Sequence, residues 1–163
     1  LLIYELLDFG FLASLFVRRV FYIPAYLSFV YFDFFKNTSF LFWSYKTEIL
    51  FNYPYSLTPA KVIGAHLGNP ETNANNSFFS TGYMNAGFIG MLFYSIVFAF
   101  ILLVLDKIQR LGVPFWIIAG ISLNTLHSII KSSDLITGLI THGLALTVII
   151  LLLITPTFYE RNK

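Results

Sequence analysis

The side chains able to do chemistry are few in this chain, so each one present carries weight. Of 163 residues, 57% are hydrophobic and only 11% are charged. Arg18 and Arg19 stand side by side. Paired guanidinium groups hold phosphate or diphosphate through bidentate hydrogen bonds, and they serve equally as a positive anchor at a lipid headgroup. His66 and Glu71 are the proton-transfer candidates of the long central connection, beside a plainer reading as solvated loop residues. Asn73, Asn75, Asn76, Tyr83 and Asn85 gather where that connection meets an apolar helix. Their amides and phenol suit sugar hydroxyls, with neighbouring rings stacking on sugar faces, and Asn is also a common turn former. His127 and His142 fall in apolar stretches. There an ionisable residue marks a ligand pathway or helps hold helices together.

Other chemistries are excluded. The chain has no cysteine, so thiolate catalysis, disulfides and cysteine metal sites drop out. Two histidines on separate helices with no nearby Glu or Cys do not make a metal-ligand set, so neither a metal nor another cofactor is expected. No nucleophile-elbow serine, phosphate-binding loop, zinc-protease helix or dinucleotide fingerprint is present. Lys and Arg cluster only at Arg18-Arg19 and the net charge is +2, so no nucleic-acid partner is implied.

The elements that position these residues belong to a membrane. A soluble domain carries about 25% charged residues, far above the share here. The fold expected is all-α, a polytopic transmembrane helix bundle with a long polar and aromatic loop outside the cytoplasm. Residues 1–17 read as a helix with Glu5 and Asp8 on one face. Residues 20–35, with Pro24 near the start, are short for a span. The region 1–35 is therefore expected to be interfacial or re-entrant, with Arg18-Arg19 in its middle. Residues 36–82 form a connection too long for a turn and too aromatic for disorder. Within it, Thr58-Pro59 reads as a helix start.

Three transmembrane helices are expected at 83–105, 114–130 and 135–155. The first carries no charge and exceeds the roughly 20 apolar residues a bilayer core requires. It opens with Ala86 and Gly90 four apart, a small-residue pair that permits close helix approach. Pro114 starts the second, and Lys131 to Asp134 make a turn able to cap the third, which Pro156 would stop. Gly120, Asn124, His127, Ser128 and Lys131 share one helical face, and Thr137, Gly138, Thr141, His142 and Ala145 share another. Lys107 and Arg110 lie on one side with the tail residues Arg161 and Lys163, which makes that side cytoplasmic and turns the 36–82 loop outward. The chain starts in mid-pattern and ends in a polar tail, so it is expected to be the C-terminal piece of a longer protein.

Three segments in order carry a family resemblance: RRVFYIPAYLSFVYFDFF (Arg18 to Phe35), NANNSFFSTGYMNAGFIGMLFYS (Asn73 to Ser95) and SSDLITGLITHGL (Ser132 to Leu144). Together they resemble the C-terminal part of the Wzy-type O-antigen and polysaccharide repeat-unit polymerases. The resemblance implies a multi-pass protein of the bacterial inner membrane, a metal-independent glycosyltransferase. Such an enzyme polymerises undecaprenyl-diphosphate-linked oligosaccharide units into O-antigen or capsular polysaccharide at the periplasmic face. Its partners would be the lipid-linked glycan donor and acceptor, membrane lipid and a chain-length regulator protein. It implies a catalytic role for Arg18 and Arg19 at the diphosphate; beside it, the residues themselves offer His66 or Glu71 as the base and the Asn73, Asn75, Asn76, Tyr83 and Asn85 group for the sugars. Periplasmic arginines oppose the orientation that charge counting gives for Arg18-Arg19. An O-antigen ligase, which uses the same donor, and a polysaccharide flippase or transporter subunit are the alternatives. A flippase predicts internal repeats, and none is visible.

Overall fold

A computed structural model of the chain describes residues 15–47 and 52–161. The helix expected over residues 1–17, with Glu5 and Asp8, lies outside the described residues as far as residue 14, and so does Lys163. The described residues are helical, with no strand among them.

The first helix runs without a break over Leu15–Asn37. Inside it Arg18–Tyr22 is a π-helical turn, followed by α1, Ile23–Asn37. Pro24 supplies the cause. It has no N–H to give the Val20 carbonyl, and its ring crowds that carbonyl. The ladder opens by one residue, so that Ile23 N–H donates to Arg18 O instead. The helix therefore passes straight through Arg18-Arg19, where the sequence suggested a boundary. The segment expected to be short is part of a 23-residue helix.

A tight run of turns follows, in which Phe42 and Trp43 have φ of 45° and 60°. Then comes α2, Pro59–His66, with Thr58 at its N-cap and Pro59 in its first turn. An extended stretch leads to α3, Phe78–Arg110, which begins earlier than residue 83 and is kinked at Ala86–Gly87. Gly87 has φ 59° and ψ −144°, a conformation essentially confined to glycine. The kink lifts the Met84 and Asn85 carbonyls out of the helical ladder. Leu41 N–H and Phe42 N–H donate to them at 3.0 and 2.9 Å, so the α1–α2 connection is tied to the kink by main-chain bonds.

The kink folds the two arms of α3 onto each other at Gly82 and Gly90. A Cβ at Gly90 would meet the Gly82 carbonyl oxygen, and a Cβ at Gly82 would lie 2.8 Å from Gly90 O. Close approach is thus made by Gly82 with Gly90, while the Ala86–Gly90 pair flanks it, with Ala86 Cβ 3.2 Å from the same position.

Helix α4, Phe115–Lys131, follows Pro114. Asp134 caps α5, Leu135–Ile140, and a turn at 141–143 leads into α6, Leu144–Arg161. The single span expected at 135–155 is two helices, and Pro156 lies inside the second rather than ending it.

Two apolar clusters hold these elements. Tyr31, Phe35, Leu41, Ile63, Tyr83 and Met84 join α1, α2 and the first arm of α3. Tyr94, Ile101, Leu105, Ile118, Ile129, Leu135, Leu144 and Leu151 join the second arm to α4, α5 and α6. Outside both lies a large apolar surface, with Phe88 and Ile89 77% and 78% exposed and Trp116 and Leu153 similarly bare. Two helices, Leu15–Asn37 and Phe78–Arg110, are long and apolar enough to cross a membrane, while α4 and the apolar part of α6, Leu144–Pro156, are shorter.

Candidate functional site

Where the two clusters meet, the kinked arm of α3 leaves a cavity of about 510 Å3. Each wall comes from a separate part of the chain. Asn73, Asn75 and Asn76 come from the stretch before α3, and Thr81, Met84 and Asn85 from its first arm. Trp43, Tyr45 and Lys46 come from the α1–α2 connection, and Tyr31 from α1. The far wall is Ser128 of α4, Ser132, Ser133 and Asp134 of the turn after it, Thr137 of α5, and His142.

The amide-rich wall is built by its own hydrogen bonds. Asn76 Nδ2 donates to Ser80 Oγ at 3.0 Å and to Ser28 Oγ at 3.2 Å, while its Oδ1 accepts from Ser77 N–H at 2.8 Å. This pins the start of α3 to α1. Tyr31 reinforces the joint, its hydroxyl donating to Ala74 O at 2.9 Å. Asn85 Nδ2 donates to Thr81 O at 2.8 Å and its Oδ1 accepts from Trp43 N–H at 2.9 Å. Trp43 Nε1–H in turn donates to the Tyr94 hydroxyl at 2.9 Å, which bolts the connection to the second arm of α3. Asn76 and Asn85 are thus buried and spoken for, whereas Asn73 and Asn75 are exposed, with amides open to a ligand.

The opposite wall carries the charge. Lys46 Nζ donates to Thr137 Oγ1 at 3.1 Å across the mouth. His142 Nε2 and Ser133 Oγ are 3.2 Å apart. Asp134 Oδ2 accepts from Thr137 N–H at 3.4 Å and caps α5, and the Tyr94 hydroxyl lies against the same carboxylate. In a chain this poor in charge, a lysine, a histidine and an aspartate around one hollow make a distinct electrostatic feature.

Of the residues singled out in the sequence, Asn73, Asn75, Asn76 and Asn85 come together here. Tyr83 does not reach the cavity. It is 7% exposed and packs edge-on against Phe32 at 4.8 Å, Phe88 at 5.4 Å and Phe40 at 5.7 Å. His66 ends α2, exposed, with its ring 5.1 Å from that of Phe34. Glu71 is exposed and pairs with Lys61 at 3.8 Å, a surface ion pair of small energetic value. Arg18 and Arg19 are exposed on the π-turn. At about 1.5 Å per residue, helix rise alone separates them by about 20 Å from Tyr31 at the cavity.

The two polar helix faces divide in the same way. On the first, Gly120, Asn124 and His127 point outward and Ser128 alone reaches the cavity. On the second, Thr137 and His142 line it, while Gly138 gives room to the Ile129 side chain. Sequence reasoning missed Asp134, Lys46, Trp43, Tyr45 and Tyr94 as site residues. The signal for Asp134 was present in the SSD turn but was absorbed by its capping role.

Among the described residues, no group of three His, Asp or Glu side chains converges as a metal site would require. The chemistry available is that of hydrogen-bonding amides and hydroxyls, flat aromatic faces, one ammonium and one carboxylate. Comparison with protein-family models, curated proteins and solved structures finds no match to this chain.

Proposed function

We propose that the chain is part of a multi-pass polysaccharide polymerase of the Wzy type, joining undecaprenyl-diphosphate-linked oligosaccharide units at the periplasmic face of the bacterial inner membrane. The observation that carries this reading is the cavity. It has a volume within the roughly 300–1,000 Å3 of small-molecule sites, yet its lining is amide, hydroxyl and aromatic groups set beside lipid-scale apolar helices. Sugars are recognised by that combination, with polar groups taking the hydroxyls and rings covering the C–H faces.

Orientation supports it too. Lys107 and Arg110 lie at the far end of α3 from the cavity, and positive residues at helix ends mark the cytoplasmic side. The cavity then opens outward, where an exported lipid-linked glycan arrives. The bare apolar surface of α3, α4 and α6 suits a lipid environment, since patches of that size are uncommon on soluble monomers.

In this reading Asn73 and Asn75 hold sugar hydroxyls, and Trp43 and Tyr45 cover a sugar face. Asn76 and Asn85 keep the wall in place. Lys46 is the cavity's lysine and faces the developing negative charge of the leaving diphosphate, where electrostatic stabilisation counts most. Arg18 and Arg19, away from the cavity on the same helix as Tyr31, hold lipid headgroup phosphates.

The test is genetic. The full-length gene carrying Asn73→Ala together with Asn75→Ala is returned to its host and the surface polysaccharide is run on a gel. A ladder collapsed to a single repeat on the lipid core supports the polymerase. Loss of capped single units as well would point to a ligase or a flippase instead, and an unchanged ladder would remove the cavity from the reaction.

A further inference from the structure

Of the chain's 3 histidines, His142 alone lines the cavity. It stands in the turn between α5 and α6, and its backbone is fixed on both sides. Its N–H donates to Thr137 O at 3.0 Å, and its carbonyl accepts from Thr125 Oγ1 at 3.4 Å. The ring is held as well, with Nε2 3.2 Å from Ser133 Oγ. The Ser133 hydroxyl has a single hydrogen, which it donates to Asp134 O at 3.3 Å. Ser133 Oγ therefore accepts from His142 Nε2–H, and that bond sets the tautomer of the neutral ring. The lone pair is left on Nδ1. No described residue bonds Nδ1, and the residue is exposed.

We propose that His142 Nδ1 takes the proton of the acceptor sugar's hydroxyl as the glycosidic bond forms. This rests on the glycan-transfer reading above and gives the base to a residue that the sequence marks only as a pathway or packing histidine. The acceptor oxygen bonds to the anomeric carbon of the donor glycan. The bond from that carbon to the diphosphate oxygen breaks, and its electron pair leaves with the polyprenyl diphosphate. The hydroxyl proton passes to Nδ1. The imidazolium keeps its Nε2–H on Ser133 Oγ and, being exposed, returns the proton to water.

The surroundings fit this division of roles. Lys46 Nζ donates to Thr137 Oγ1 and His142 N–H to Thr137 O, so one residue ties the base to the cation that faces the leaving diphosphate. Proton removal and charge neutralisation at separate positions suit a displacement at an anomeric carbon. The other ionisable groups of the hollow are occupied or unsuited. Asp134 caps α5 and lies against the Tyr94 hydroxyl, with Oδ1 buried. Tyr31 gives its hydroxyl hydrogen to Ala74 O. Tyr45 carries a phenol, a poor base near neutral pH. His66 and Glu71 lie outside the cavity.

The decisive experiment uses the purified full-length protein in lipid nanodiscs, supplied with the host's extracted polyprenyl-diphosphate repeat units, and follows chain elongation. His142→Gln keeps a donor for Ser133 and loses the basic nitrogen, so it should fold and bind. The expected result is a fall in kcat of about 100-fold or more, the usual span for losing a general base, with KM within a few-fold of wild type. The variant should also lose the acid limb that the imidazole gives the wild-type kcat–pH profile. Ser133→Ala frees the ring and should lower kcat less, with that limb kept. A rise in KM at unchanged kcat would make His142 a binding residue and overturn the proposal, as would elongation at the wild-type rate or an acid limb surviving in His142→Gln. If His142→Gln melts well below wild type, the wild-type profile decides. A kcat flat from about pH 8 to about pH 5, where an imidazole changes charge, overturns the proposal and leaves His142 a bridge to Ser133; a limb in that range supports it. If the wild-type protein itself elongates nothing, the polymerase reading falls, and the proton-transfer role falls with it.

Discussion

Gly90→Ala is the smallest change expected to dismantle the site from a distance. The new methyl would be driven against the Gly82 carbonyl oxygen, with the carbonyl carbon at 3.0 Å and Ala86 Cβ at 3.2 Å. The first two obstacles are backbone atoms, so no rotamer change relieves them. Over-packing typically costs about 1–3 kcal/mol, and the rigidity of this contact puts the cost near the top, about 3 kcal/mol. For a chain of this size each kcal/mol moves the midpoint by about 2–4 °C, so thermal unfolding of the full-length protein in detergent should shift down by about 6–12 °C. Gly120→Ala is the internal control. Nothing lies within 4 Å of its new Cβ, and alanine is the better helix former by about 1 kcal/mol, so that variant should melt at or slightly above wild type. Because Gly82→Ala strains the same contact, the double variant Gly82→Ala/Gly90→Ala should cost less than the two singles added. Equal midpoints for Gly90→Ala and Gly120→Ala would refute the crossing of the two α3 arms, and with it the origin of the cavity.

Other expectations follow from single contacts. Asn85→Ala removes the acceptor of Trp43 N–H and the donor to Thr81 O; leaving such groups unpaired costs about 1–3 kcal/mol. The backbone amide of Trp43 should therefore exchange with deuterium about 10-fold or more faster, while amides in α4 stay at wild-type rates. Lys46→Met should raise the KM for the lipid-diphosphate donor and lower kcat together, with Lys46→Arg close to wild type, as read by chain elongation of polyprenyl-diphosphate repeat units by the full-length protein in lipid nanodiscs; a neutral Lys46→Met would remove the lysine from the leaving-group side.

Parts of this architecture are legible in the sequence because they rest on local signals. Pro59 after Thr58 begins α2, where proline in the first turn is tolerated, and Pro114 stands at the N-cap of α4. The uncharged run from Tyr83 onward reads as a long apolar helix, and α3 is one. Its kink is not legible, because a single glycine in an apolar run reads as a tolerated helix residue, and Gly87 takes a positive φ only because Leu41 and Phe42 pair with the freed carbonyls. The π-turn behind Arg18-Arg19 is hidden for a related reason. Pro24 reads as a helix start, yet a long helix absorbs it by widening one turn.

The site divides along the same line. Asn73, Asn75, Asn76 and Asn85 stand out because amides are conspicuous in so apolar a chain, and they are neighbours in sequence. Asp134, Lys46 and Trp43 meet them only through tertiary contacts such as Lys46 with Thr137 and Trp43 with Tyr94. No local pattern announces those contacts. Asp134 was further disguised by its capping role at α5.

The central claim is that a lipid-linked glycan occupies the cavity, and photo-crosslinking in native membranes tests it most directly. A photoreactive amino acid is placed at Asn75, in the cavity wall, or at His66, exposed at the end of α2 outside the cavity. The membranes are irradiated and the protein band is probed for attached glycan. The account predicts glycan on the protein labelled at position 75 and none at position 66. Glycan captured at position 66 alone, or at neither position while the host makes its polymer normally, would contradict it.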